Sequence, residues 1–579
     1  MKRLVLLVAT VLVVAFLAFV GYQTFVTLTS LRDAKADAKL LKKQFLADDP
    51  AAAARTLDRI AAAGERAHAH SDNVVWDGAA RLPWLGRNVE SLQVMSRVVD
   101  ETSRTSLPSA LKLFTVARSD GALRAKDGRF DLAAISALRP EFARLAGRLE
   151  TADDELATVD ADRLFPALAD QALDFQDKLG SVTDAAAVGA KATRLLPTML
   201  GAGGKRTYLL VVQNNAEIRS TGGLPGSLSL LTVDRGKLSL GSQKTALNFD
   251  VQPRPVLRLT AEEKALFGPN MGQDIRDTDL TPDFPRAAEL MSALMKQKYG
   301  VEVDGVLSVD PVSLAKVLKA TGPIRVGRQQ FTSTNVVPIL LNRTYQRYPT
   351  QAQQNAFFAA AAQGIFGALT DGSGNQKSVL RQVASAASQR RLLVWSRKPA
   401  EERAIAGTRV SGALPRDIGP APAVGMYLSD GTASKIEYYL DFKGSLKSVS
   451  CSKDGVQTLE ADLAMKSSVP DAVGRLSPWI TGFGQYAPKG SMRMNLRIYA
   501  PTDGTISELR ANGQKIKIVR LQHEGREVAI VGLLIDPGDA LQVSATLTTR
   551  AGQRWDPELQ LTPGIKDRAS VVKASTSCS

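Results

Sequence analysis

Glu217, Arg219 and Ser220 stand close together in QNNAEIRSTGGLPGSLSLLTVDRGKLSL, residues 213–240, where an apolar strand runs through a polar, glycine-rich bend into a hairpin. A charged bend at a strand end is where sites are built, because a rigid scaffold there presents polar groups on a loop. Arg276 and Asp277 open a second polar turn, RDTDLTPDFP, over 276–285. Arg343 and Arg347 are four apart in a helix-like run, so one helix face can present both to a single anion. The chemistry these residue types suit is the gripping of an anion. Transfer of a phosphoryl-linked group would further need its charge neutralised, by a divalent cation such as Mg together with arginines. Against this stands the plainer reading of a solvated ion pair on a loop and a solvated helix face. No catalytic residue and no metal-ligating set is assigned.

Other chemistries find little support. His68, His70 and His523 are the three histidines, the first two separated by two residues and so on different sides of a helix. They assemble neither a triad nor a zinc site. Gly201-Ala202-Gly203-Gly204 precedes a strand and not a helix, which argues for a hinge and against a phosphate-cradling loop. Cys451 and Cys578 are the two thiols, without a CxxC or histidine neighbour. Outside the cytoplasm they can close one disulfide, tying the C-terminus to the start of the last domain; otherwise they are two free thiols.

The elements that must position these residues follow from length and pattern. A chain of 579 residues exceeds one core and suggests about three or four domains. Its 44% apolar content supports globular folding, and its net charge of +15 favours anionic partners. Lys2 and Arg3 precede LVLLVATVLVVAFLAFVGY, residues 4–22, about the length of a membrane-crossing helix. We expect a single-pass transmembrane anchor over 1–26; a cleavable signal peptide is the rival, but the A-x-A cleavage pattern is missing. Arg32, Lys35, Lys39, Lys42 and Lys43 outnumber the two charges before the span, so local charge counting opposes an outward-facing body, although long domains are translocated regardless.

Residues 27–200 read as a helical stalk or bundle, with turn signals at Pro50, Pro83, Pro108 and Gly128. Leu132, Ile135, Leu138, Phe142, Leu145 and Leu149 form one apolar stripe there. From Tyr208 the period changes to that of strands, and strands then alternate with helices, which predicts a central α/β layered domain over 201–434. Asp234-Arg235-Gly236-Lys237 reads as a hairpin turn, and Asp310 with Pro311 as a helix start. A glycine-serine turn follows Leu369, then a helix over about 380–395, then a hairpin over 425–440 turning at Asp430-Gly431. Strong alternation over 494–549 predicts a β-rich sandwich-like domain over 435–579. The fold class expected is thus α+β multidomain: N-terminal transmembrane helix, helical stalk, central α/β domain and C-terminal β-sandwich.

Three segments, 213–240, 276–285 and 303–326 (VDGVLSVDPVSLAKVLKATGPIRV), together resemble the bacterial envelope family called domain of unknown function 4012. That family carries an asparagine-glutamate-arginine-glycine-glycine signature, an aspartate-proline turn and an aspartate-glycine-valine strand. The resemblance spans roughly residues 196–440 and implies an extracytoplasmic body at the cell membrane. The order of parts is also distantly similar to the LytR-CpsA-Psr phosphotransferases, in which arginines and an aspartate hold a polyprenyl-linked pyrophosphate and a divalent metal. On that resemblance their arginine-serine falls on Arg219 and Ser220, and their closing arginines on Arg343 and Arg347. Thr221 replaces the following aspartate, and the closing arginine-glutamine is absent, with Gln353, Gln354 and Asn355 nearby. Glu217, Asp277, Asp279 or Asp283 would have to supply the missing carboxylate.

Two functions stay open. The first is a membrane-anchored extracytoplasmic envelope protein whose α/β domain binds or transfers a polyprenyl-phosphate-linked or other anionic glycopolymer. The second is a non-enzymatic scaffold or adaptor that contacts other envelope proteins. Nucleic acid is not an expected partner, since no aromatic-basic alternation or helix-turn-helix accompanies the charge.

Overall fold

The computed structural model describes residues 2–47, 49–83, 85–118, 129–370, 376–415 and 421–578; the side chains of 2–18, 45, 46, 114, 117, 118, 162, 376 and 377 lie outside that description. The turn signals at Gly128 and at 372–374 also fall outside it. The chain forms two compact units, Met1–Leu123 with Asp131–Thr198, and Arg124–Phe130 with Met199–Ser579.

The first unit is helical: α1 (Lys2–Ala47), α2 (Pro50–Ser71), α3 (Val74–Ala79), α4 (Gly86–Glu101), α5 (Leu107–Arg118), α6 (Leu132–Ala137), α7 (Arg139–Leu156) and α8 (Pro166–Met199). Ala34 and Leu41 of α1 meet Ala53, Leu57, Ile60 and Ala63 of α2 in one core. Asp49 caps α2 by accepting from the Ala52 N–H at 2.9 Å, with Pro50 at the first helical position. The stripe read in the sequence is the inner face of α6 and α7: Leu145 and Leu149 are buried in a second core, and Leu138 and Phe142 pack against it.

The transmembrane expectation is corrected here. Among the described residues no helix is long and apolar enough to cross a membrane. The apolar run 4–22 is the start of a 46-residue helix that continues into polar positions used for packing within the first unit. Gln23, Thr27 and Ser30 are buried, Thr27 Oγ1 donating to the Ala67 carbonyl at 3.4 Å and Gln23 Oε1 accepting from Asn73 Nδ2 at 2.7 Å. A helix with such a polar seam finds its partner in α2 and the α2–α3 turn.

The second unit begins with a five-stranded sheet made of β1 (Arg206–Asn214), β2 (Leu224–Asp234), β3 (Lys237–Thr245), β4 (Gly305–Val309) and one later strand. The hairpin turn between β2 and β3 places Arg235 and Gly236 at positive φ, as a primed two-residue turn requires. β1 and β4 run parallel, joined through α9 (Ala261–Phe267) and α10 (Phe284–Tyr299). Phe284, Ala287, Ala288, Met291, Leu294 and Met295 of α10 cover one sheet face, against Leu209, Val211 and Val306. Period-two alternation turns Tyr208 and Leu210 to the other face. After β4 come α11 (Pro311–Thr321) and a small hairpin, β5 (Ile324–Val326) with β6 (Gln329–Phe331). Asp310 starts α11 as read in the sequence, accepting from the Ser313 N–H at 2.6 Å. A one-turn helix, α12 (Val336–Pro338), runs through a π turn (Ile339–Arg343) into α13 (Thr344–Arg347), followed by α14 (Gln351–Thr370).

The helix expected over 380–395 divides: α15 (Gln376–Ser388) stops, and β7 (Leu392–Ser396) adds to the sheet antiparallel to β4. Leu393 and Trp395 supply the alternate buried positions of a strand, which a helical reading of the same apolar residues overlooks. The full order is β3-β2-β1-β4-β7. After α16 (Pro399–Ile405) comes β8 (Ala423–Asp430), buried along its whole length.

β8 is not one arm of a local hairpin. It lies between β11 (Met492–Tyr499) and β17 (Glu558–Leu561), so the Asp430-Gly431 bend leads away from it. In order, β9 (Leu440–Cys451) and β10 (Gln457–Ser467) precede β11, and β12 (Thr505–Ala511), β13 (Gln514–Lys515), β14 (Val519–His523), β15 (Arg526–Ile535) and β16 (Ala540–Thr548) follow it; β18 (Val571–Lys573) comes after β17. They make two sheets, β13-β12-β16-β10-β9 and β14-β15-β11-β8-β17-β18. Inward residues of both share one core, among them Met426, Leu428, Leu459, Leu463, Leu496, Ile498, Val543 and Leu547, which is the sandwich arrangement. Cys451 and Cys578 are bonded, closing the C-terminus onto the end of β9.

Candidate functional site

The bend between β1 and β2 is built by its own polar side chains. Asn214 Oδ1 accepts from the Ala216 N–H at 3.1 Å, the Glu217 N–H returns to the Asn214 carbonyl at 3.0 Å, and the Gly222 N–H reaches the Arg219 carbonyl at 2.9 Å. Both signature glycines are needed sterically. Gly222 has φ +145°, and a Cβ on Gly223 would lie 2.3 Å from the Asn214 backbone. The bend is therefore folded too tightly for any side chain at the second position.

This fold drives Glu217, Arg219, Ser220 and Thr221 inward, where elements from distant parts of the chain meet them. Arg219 is 7% exposed, with Asp277 at 3.5 Å, Glu217 at 3.6 Å and Asp430 at 3.8 Å. Lys435 Nζ donates to Glu217 Oε2 and lies over the Tyr345 ring, 5.9 Å from its centre. Ser220 Oγ donates to the Leu280 carbonyl at 2.6 Å, and Thr221 Oγ1 to Asp279 Oδ2 at 3.0 Å. Thr221 thus stands where an aspartate was missed, and holds one that arrives from the 276–285 turn. The sandwich closes the cluster: the Asp430 N–H bonds the Ile218 carbonyl at 2.8 Å, and buried Arg497 donates to Ser429 Oγ and to the Leu266 carbonyl, each at 3.0 Å. Beside it, Asn215 Nδ2 donates to Asp310 Oδ2 at 3.3 Å, the same oxygen that accepts from Arg391 at 2.5 Å.

Burial governs the protonation of this cluster. It pushes Asp279 up to about 8, Arg219 and the Thr221 hydroxyl opposing, and it raises Asp277 against the pull of Arg219. Burial raises Glu437 well above the usual carboxylate range, and neighbouring Asp430 adds to it. Asp430 Oδ2 and Glu437 Oε2 have no hydrogen-bond partner among the described residues. Burial would lower Arg219, but Glu217, Asp430 and Asp277 outweigh it and hold it above its ordinary value. Burial brings Arg497 down to about 10. Arg219 thus lies among Glu217, Asp277 and Asp430, and Lys435 pairs with Glu217, whereas Arg497 has no carboxylate at ion-pair distance among the described residues; Asp279 keeps its proton at neutral pH.

The remaining expected site residues lie elsewhere. Arg276 is turned to Asp274, its Nε 2.9 Å from both carboxylate oxygens, at the edge of the cluster. Asp283 accepts from the Leu414 N–H at 3.0 Å. Arg343 and Arg347 are exposed, and neither has an ion-pair partner among the described residues. Tyr345, between them in sequence and on the opposite side of the turn, is buried and accepts from Asn214 Nδ2 at 2.8 Å. The helix face opposite the arginine pair thus reaches the cluster while the pair does not. Among the described residues no group of three or more His, Cys, Asp or Glu side chains is disposed to hold a metal ion.

Asp430, Lys435, Glu437 and Arg497 were missed in the sequence. Asp430 read as a turn residue and Lys435 as a domain boundary; Arg497 lies in an alternating strand and gives no sign of pointing inward to a partner.

The architecture is that of an α/β sheet sealed to a β-sandwich through a buried, charged junction. Residues 203–345 match the family model described as protein of unknown function (DUF4012). The match runs from β1 to Tyr345, so the sandwich residues that close the junction come from outside it. Neither the curated proteins nor the solved structures contain a match to the chain.

Proposed function

We propose that the protein is an extracytoplasmic envelope component that binds an anionic glycopolymer through Arg343 and Arg347, and that Glu217, Arg219, Ser220 and Asp277 form a structural latch. The observation that carries this reading is the contrast between the arginines. Arg219 is enclosed by three carboxylates of its own chain, whereas Arg343 and Arg347 are exposed without ion-pair partners among the described residues. A guanidinium already held by buried carboxylates offers an incoming phosphate little; an exposed one offers its full fork. Binding is favoured over transfer for the same reason. The Cys451–Cys578 bond supports placement in an oxidising compartment, and the net charge of +15 supports an anionic partner.

The Arg343→Ala plus Arg347→Ala protein tests it, with affinity for a polyprenyl-pyrophosphate-linked saccharide as readout. A loss of about 100-fold is expected, since charge-assisted hydrogen bonds contribute ~1.5–3 kcal/mol each. Unchanged affinity overturns the reading. The adaptor alternative is favoured by the internal matching of the signature residues; crosslinking in cells that recovers proteins in place of glycan would support it.

A further inference from the structure

The segment that packs beside the arginine pair is unusual in backbone and composition. Residues 477–488 read SPWITGFGQYAP and follow β10. Gly482, Phe483 and Gly484 all have positive φ, 67°, 58° and 73°. A bulky residue at positive φ is an outlier that costs free energy, yet here it presents Phe483 to solvent at 60% exposure, with Tyr486 at 51%. The aromatics are not loose. The Trp479 ring stands edge-on to Phe483 at 5.4 Å and donates its Nε1–H to the Pro349 carbonyl at 3.0 Å. The Ser477 N–H donates to Gln346 Oε1, also at 3.0 Å, so the loop is pinned directly to the turn that carries Arg347. Lys489 lies along Gly484.

The two segments are also free of acid: no Asp or Glu occurs within residues 311–370 or 472–502. Exposed aromatic side chains on a loop pinned to the turn that carries Arg347 fit a partner with weakly polar faces and regularly spaced negative charge. A sugar ring offers one face of C–H groups, which pack on the electron-rich face of an aromatic ring, while its acidic substituents suit arginine. An acidic polypeptide offers the charge without the stacking face. We propose that Phe483 and Tyr486 form a sugar-stacking platform, making the ligand an acidic polysaccharide. This rests on the anion-binding reading of Arg343 and Arg347 above.

Binding of polygalacturonate and of polyglutamate, matched in length and charge, tests both levels separately. The full-length protein is expected to bind polygalacturonate more tightly, and Phe483→Ala plus Tyr486→Ala to remove that preference, lowering polygalacturonate affinity about tenfold with polyglutamate affinity unchanged. Arg343→Ala plus Arg347→Ala is expected to weaken both polymers. No preference in the unaltered protein, or a preference that survives the aromatic substitutions, overturns the platform. Unchanged binding of both polymers in the arginine variant overturns instead the reading on which it rests. Both aromatic side chains are exposed, so the variant keeps its fold; a thermal unfolding curve matching the parent protein checks this.

Discussion

Asp279 is fully buried, and its carboxyl keeps its proton to about pH 8. In the unfolded chain it titrates near the ordinary carboxylate value, so between about pH 4 and pH 8 the folded state binds more protons. Stability contributed through this group therefore falls as pH rises across that window and levels off above it. The loss is on the order of a few kcal/mol, because ionisation places an extra negative charge in the junction. Asp279→Asn keeps an oxygen for the Thr221 hydroxyl and has nothing to ionise. Its unfolding free energy, measured by urea denaturation from pH 5 to pH 9, should show a shallower decline than the parent protein; parallel curves would show that Asp279 does not titrate there. At this scale the sequence disclosed the types in the bend but not their partners. Glu217 and Arg219 are two residues apart and legible, while Asp430 and Arg497 reach them only through tertiary packing.

At the scale of elements, the bend is set by steric necessity at Gly223, where an added Cβ would stand 2.3 Å from the Asn214 backbone. Gly223→Ala should cost about 1–3 kcal/mol, read as a lower melting temperature, because neighbouring backbone cannot yield as a flexible side chain would. A melting temperature equal to the parent's would show that the bend can relax. Elements with local signals were readable: the Asp234–Lys237 turn and the Asp310 cap each rest on chemistry within a few residues. Two elements were not. β7 carries an apolar run whose length suits strand or helix, and only pairing with β4 decides. β8 is apolar on both faces because it is buried between two strands that come much later in the chain. The start of α1 misled because an apolar run of this length reads as a membrane span from sequence alone, whereas among the described residues no helix is long and apolar enough to cross one.

For the whole molecule, the C-terminus is fastened to the sandwich by the Cys451–Cys578 bond, 127 residues apart in sequence, and by Ser577 pairing with Ser448. Reduction should lower stability by ~2–5 kcal/mol by releasing the unfolded chain from that closed loop. Thermal unfolding with and without reductant reads it, and coincident curves would mean that the link restrains little. The larger division is between a buried charged junction that holds sheet and sandwich together and the exposed arginine pair proposed to bind an anionic polymer. The most direct measurement takes affinity for polygalacturonate and unfolding free energy on the same preparations of two variants. Arg219→Ala, which strands Glu217, Asp277 and Asp430, should lose about 3–5 kcal/mol of stability while its folded fraction binds as the parent does. Arg343→Ala plus Arg347→Ala should lose affinity with stability within about 0.5 kcal/mol of the parent. The account is contradicted if the two results exchange places, with Arg219→Ala abolishing binding in a fully stable protein and the double substitution leaving binding intact.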